Sequence, residues 1–144
     1  MPSIDRSALV EYSARQMFDL VNDIEKYPEF MYGCTSAKIV SESEQELVGE
    51  LCLAKAGIGQ CFTTRNQLYR PTHIDMSLVA GNFSSFHAQW RFDALSESAC
   101  KVSLTMEFEF KSSLVEFAAE KLFSHSANAL VDDMVKRASQ VYRV

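Results

Sequence analysis

Three histidines, four cysteines and a scatter of carboxylates are the side chains that could act on a substrate, and their spacing argues against it. His73, His87 and His125 stand far apart. No Ser/His/Asp or Cys/His order suggests a nucleophile with its base. Cys34, Cys52, Cys61 and Cys100 show neither CxxC nor Cys/His ligand spacing, so no zinc site is expected. No acid and base pair stands out for a cyclase or dehydratase. The expectation is a protein that binds rather than catalyses and requires no metal or cofactor.

Charge narrows the partners. Lys and Arg number 14 against 19 Asp and Glu, giving a net charge of -5 and a pI near 5.2. Phosphate backbones are held by Lys and Arg that displace counterions. The one basic pair is Lys136-Arg137, so direct DNA binding is not expected. Asp132-Asp133 and Lys136-Arg137 fall four apart and read as a solvated helix face, with a partner surface as the alternative. The opening residues carry no basic n-region and no apolar h-region. No stretch reaches the length of a membrane span. A cytoplasmic, reducing setting is expected, with free and mostly buried thiols and with peripheral membrane contact left open. Cys34 follows a turn. It is a reactive thiol if exposed, or a small buried hydrophobe.

These side chains must be positioned by one domain of 144 residues. Ser3 to Val10 reads as a strand. Ser13-Ala14-Arg15-Gln16 is a capping-box pattern ahead of the stripe Met17, Phe18, Leu20, Val21 and Ile24. A short second helix should end near Tyr27-Pro28, because Pro disfavours helical geometry in the residue before it. Strands are expected at Ala37–Glu44, Glu46–Lys55, Gln60–Arg70, His73–Val79, Ser85–Ala94 and Cys100–Lys111. The last alternates Val102, Leu104, Met106, Phe108 and Phe110 with polar residues, the period of a strand with one dry face. Short connections imply a meander. Ser113 to Val144 reads as one long helix. Its stripe is Val115, Ala119, Phe123, Ala127, Leu130, Met134, Ala138 and Val141. Ser124-His125-Ser126 is the expected place for a bend. A one-faced sheet and one amphipathic helix bury each other, giving an α+β fold with the sheet curled on the helix.

Two groups of side chains then gain meaning. Phe62, Met76, Leu78, Phe86, Trp90, Met106 and Phe108 should face Ala127, Leu130, Val131 and Met134. They are either ordinary core or the lining of a cavity, which small residues at Ala88, Ala119, Ala127 and Ala129 would favour. Alternation places Asn66 inward beside Phe62 and Leu68, where it could serve as a pocket polar group. It places Arg65 outward, suited to a cross-strand ion pair with a glutamate. Phe30-Met31-Tyr32 is either a lid, a membrane-touching tip, or a staple that packs the short helices on the sheet.

This order of elements resembles the helix-grip fold of the START-like superfamily, and within it the polyketide cyclase/coenzyme Q-binding group. The bacterial ribosome-association toxin branch is the nearest match. The residues that carry the resemblance include Met1-Pro2-Ser3-Ile4, Arg6-Ser7-Ala8-Leu9-Val10, Tyr12-Ser13-Ala14, Leu20-Val21-Asn22-Asp23 and Tyr27-Pro28 with Phe30. They continue with Gly33-Cys34-Thr35, Lys55-Ala56-Gly57-Ile58, Phe62 to Leu68, and Trp90-Arg91-Phe92. Tyr32 and Asn82 depart from it, since such proteins usually carry Pro at both places. The resemblance implies a hydrophobic small-molecule ligand, ubiquinone or a similar prenylquinone, in support of respiration. It also implies the alternative of binding the large ribosomal subunit and blocking subunit joining. A quinone carbonyl could accept from the Tyr32 hydroxyl. Each buried CH₂ contributes about 0.8 kcal/mol, so one isoprene unit could contribute roughly 3–4 kcal/mol.

Overall fold

Ser13 opens the first helix by reciprocal capping. Its Oγ accepts from the Gln16 N–H at 3.0 Å, and the Gln16 side chain accepts from the Ser13 N–H at 2.9 Å. In this computed structural model, which describes residues 3–111 and 117–142, that helix is α1, Ala14–Asn22. It follows strand β1, Ser3–Val10. A short 3-10 turn covers Ile24–Glu29 and keeps Pro28 within it. It ends one residue beyond the expected stop, where the N–H groups of Phe30 and Met31 both bond to the Tyr27 carbonyl.

Six strands then run as a meander: β2 Cys34–Glu42, β3 Glu46–Lys55, β4 Ile58–Tyr69, β5 His73–Ala80, β6 Phe83–Ser96 and β7 Ala99–Phe110. Every pairing is antiparallel. The sheet order is β1-β7-β6-β5-β4-β3-β2, so the first strand returns to pair with the last. The long helix α2, Phe117–Val141, spans about 37 Å at 1.5 Å per residue and is unbroken through residues 124–126. The expected helical residues 113–116, with Val115, and residues 143–144 lie outside the described residues. So do Met1 and Pro2.

The dry face of the sheet packs on α2, as the period-two pattern requires. Phe123 stands at the centre, with the rings of Phe62, Phe83, Phe86, Phe108 and Phe110 at 4.9–6.4 Å from its own. Ala119, Ala127, Leu130, Met134 and Ala138 continue the buried stripe, whereas Val141 is half exposed. On the wet face Arg65 pairs with Glu46 at 3.1 Å, as alternation predicts.

One expectation is overturned. Cys52 and Cys61 are not free thiols but are joined by a disulfide. The β3–β4 register sets Cys52 directly opposite Cys61, and both side chains face away from the core. Cys34 and Cys100 are free and buried. Burial pushes each of these thiols up to about 11, so Cys34 behaves as a small hydrophobe rather than a nucleophile.

Candidate ligand cavity and its surroundings

Where α2 crosses β3 to β7, the packing leaves a small cavity of about 50 Å³. Eight of the residues expected there do line it: Phe62, Asn66, Met76, Phe86, Trp90, Met106, Ala127 and Leu130. The others lie elsewhere. Phe108 belongs to the aromatic cluster around Phe123. Val131 and Met134 are buried, further along α2 and off the cavity wall. Leu78 is partly buried near the end of β5, beside Gly81.

Phe30 and Tyr32 also stand away from the cavity. Phe30 packs edge-on against Tyr27 at 5.5 Å, and the Arg137 guanidinium lies 5.2 Å from its ring. Tyr32 lies against His125 of α2, with ring centroids 4.3 Å apart. The Asp133 carboxylate accepts from the Tyr32 N–H at 3.1 Å. Burial raises the Asp133 pKa, and that N–H offsets part of the rise. Of the loop trio only Met31 reaches the cavity wall, so the loop fastens the helical segment to α2.

One whole side of the wall comes from residues that no periodicity in the sequence links to the rest. Val21, Asn22, Ile24 and Tyr27 close it from α1 and the 3-10 turn, and Leu51, Leu53 and Thr64 close it from β3 and β4. Ser126 closes it from α2. Its signal was present in the sequence, because 123, 126, 127 and 130 fall on one helix face and Ser126 is the polar member of that set.

The polar atoms on this wall are few. Thr64 Oγ1 donates to Asn66 Oδ1 at 2.8 Å, and both residues are buried. The Ser126 hydroxyl is fully buried and has no hydrogen-bond partner, and Asn22 Oδ1 is buried without one. A buried polar atom left unpaired costs about 1–3 kcal/mol. Such a wall therefore favours a guest that carries its own polar group, whether waters or a ligand headgroup. Tyr27 is the one ionisable side chain on the wall among the described residues. Its hydroxyl donates to the Val21 carbonyl at 2.5 Å, and burial holds its pKa far above the usual phenol value.

The volume sets a limit. About 50 Å³ holds a few waters at roughly 10–15 Å³ each. Drug-sized ligands occupy sites of about 300–1,000 Å³. An isoprenoid tail fits only if the wall parts. No group of three or more potential metal ligands occurs among the described residues.

Comparison with known proteins agrees with the geometry. Residues 10–135 match the family described as polyketide cyclase/dehydrase and lipid transport. The chain is 46% identical over 142 residues to ribosome association toxin RatA of Vibrio cholerae serotype O1, covering 99% of each chain. It is 25% identical over 141 residues to coenzyme Q-binding protein COQ10 homolog B, mitochondrial, of Xenopus laevis, covering 94% of this chain and 57% of that one. Among solved structures, the Zhui aromatase/cyclase of a Streptomyces species superposes with a TM-score of 0.82 over 99% of this chain and 96% of its own. At 17% identity that likeness speaks for the fold alone.

Proposed function

Because the chain belongs to the polyketide cyclase/dehydrase and lipid-transport family, and within it groups with the RatA proteins, we propose that it is a non-catalytic ribosome-association factor. In this reading it binds the large ribosomal subunit in the cytoplasm and hinders subunit joining. The observation that carries the reading is the 46% identity to a ribosome association toxin along 99% of both chains. The cavity supports it indirectly, since a recess this small is a weak basis for a carrier of long lipids. No helix is long and apolar enough to cross a membrane among the described residues.

Gradient sedimentation of the purified protein with separated ribosomal subunits tests this. The protein should travel with the large subunit and lower the yield of joined ribosomes. Protein that stays at the top of the gradient at every salt concentration would refute it.

A second reading rests on the unpaired Ser126 hydroxyl facing an apolar recess. A prenylquinone would place its ring carbonyl there after the wall opens. The distant coenzyme Q-binding relative supports this class of ligand. Trp90, the single tryptophan, lines the recess, so its fluorescence should be quenched by a short-chain quinone. Unchanged emission, with no quinone in a solvent extract, rules this ligand out.

A further inference from the structure

We infer that an open groove beside the Tyr32–His125 pair is the contact for a ribosomal RNA phosphate backbone. This inference rests on the ribosome-association reading and assigns that activity a surface. The groove has a volume of about 300 Å³ and lies where the β3–β4 hairpin meets α2. Its polar rim is Tyr32, Lys55, Lys121 and His125, over an apolar floor that includes Ile58 and Leu122.

Several features select an anionic, ring-bearing polymer. Lys55 Nζ donates to the Tyr32 hydroxyl and stands 4.4 Å from the centre of its ring. Tyr32 in turn lies against His125. Lys121 is one turn before His125 on α2, so two elements deliver cationic groups to one place. No carboxylate lines the groove among the described residues, although the chain carries 19 acids against 14 Lys and Arg. Of the nearby acids, Asp133 is held by the Tyr32 N–H, and Glu120 lines the adjoining groove beside Lys121 and His125 rather than this one.

The hairpin tip is shaped for close approach. Ala54, Ala56, Gly57 and Gly59 are all exposed. Ala56 and Gly57 take left-handed φ values of 53° and 83°, the pattern of a tight two-residue hairpin turn. A sugar–phosphate chain can lie on so small a tip without meeting large side chains. Ammonium groups beside aromatic faces are the means by which proteins hold RNA backbones and unstacked bases. An anionic membrane fits less well. The large exposed apolar residues are Leu9, Val40, Tyr69, Val79, Leu95 and Val141, and none of them lines the groove.

The test compares the wild type with Lys55→Gln/Lys121→Gln and with a control, Lys38→Gln/Lys101→Gln, on other surfaces. Binding is measured at several salt concentrations to large subunits, to protein-free large-subunit RNA and to vesicles of anionic phospholipid. The groove variant should bind subunits and RNA roughly tenfold more weakly at moderate salt. Its slope of log K against log salt should be shallower by about 1 per lysine removed. The control should match the wild type. If the wild type sediments with subunits and the groove variant does so equally, the groove assignment falls while the ribosome reading stands. Wild type that binds subunits but not the bare RNA points to a ribosomal protein and overturns the RNA contact, as does a variant defect confined to vesicles. Wild type that never sediments with subunits overturns both.

Discussion

A β-carbon on Gly33 would stand 2.9 Å from Ser126 Oγ and 3.2 Å from Leu122 Cδ1. The loop before β2 thus meets α2 with no room between them, and Gly33 also holds a φ of +78°. Gly33→Ala should cost about 2–3 kcal/mol, combining left-handed backbone strain of roughly 1–2 kcal/mol with the contact. Adding Ser126→Ala should recover about 1 kcal/mol, read as the coupling in a urea double-mutant cycle. Strict additivity would show that the two residues do not touch.

Ser126→Ala alone should leave stability unchanged or raise it by up to about 1 kcal/mol, because the hydroxyl it removes is buried without a partner. Thr64→Val should act in the opposite direction. It strands Asn66 Oδ1, which now accepts from Thr64, and should cost about 1–3 kcal/mol. Equal losses for the two variants in urea unfolding would contradict this account.

Phe123→Ala should be the most damaging helix substitution, at about 3–5 kcal/mol, since five phenylalanine rings surround that side chain. Val141→Ala, on the half-exposed end of the same stripe, should fall within about 0.5 kcal/mol of the wild type. Melting temperatures of the two variants separate these outcomes, and similar values would mean that the cluster is not the centre of the core.

Replacing Cys52 and Cys61 together by Ser should lower stability by up to about 3 kcal/mol without reductant, the loop-closure value for so short a loop. The sequence separation is 9 residues. In dithiothreitol the wild type and the double variant should unfold alike. A difference that persists under reduction would assign the effect to side-chain packing instead.

Alkaline pH should weaken the fold. The Cys34 and Cys100 thiols are raised from 9.0 to about 11 by burial. Between these values the unfolded chain has already lost protons that the folded chain keeps, so the unfolding free energy falls as pH rises. Stability from these groups is complete below pH 9 and is lost on the way to pH 11. Cys34→Ala/Cys100→Ala should flatten the profile between about pH 9 and 10, measured by urea midpoints from pH 8 to about 10, below the range in which the buried Tyr27 phenol adds a decline of its own. An equally steep decline in the double variant would place the cause elsewhere.

The sequence was clearest where a strand keeps its period. β7 alternates buried Cys100, Val102, Leu104, Met106, Phe108 and Phe110 with less buried neighbours, and its expected limits lie one residue from the observed Ala99–Phe110; Asn66 and Arg65 fall on the expected faces. Where a bulge breaks the period, the observed strand runs past the limit that periodicity predicts. The expected limits of β6, Ser85 and Ala94, coincide with register shifts at Phe83/Ser85 and Ala94/Ser96. The late start assigned to β2 has the same cause, a shift at Cys34/Ser36. The cavity was half legible for a different reason. Periodicity says which face of an element is dry, but not which end of it a distant helix will cover. Asn22, Ile24 and Tyr27 therefore had no visible link to Trp90 or Leu130. The disulfide was within reach. In a hairpin that turns at residues 56–57, paired numbers sum to 113, as Lys55 with Ile58 shows, and 52 with 61 does the same.

Among the described strands β1 stands first in sequence and pairs with one other, the last, with Ser3 opposite Glu107 and Val10 opposite Cys100. During translation β1 therefore has no strand to pair with until β7 has been made. Such distant contacts slow folding. A product cut short before residue 99 keeps a central meander but leaves both the edge of β6 and the whole of β1 unpaired, so incomplete chains should be prime targets for aggregation and proteolysis.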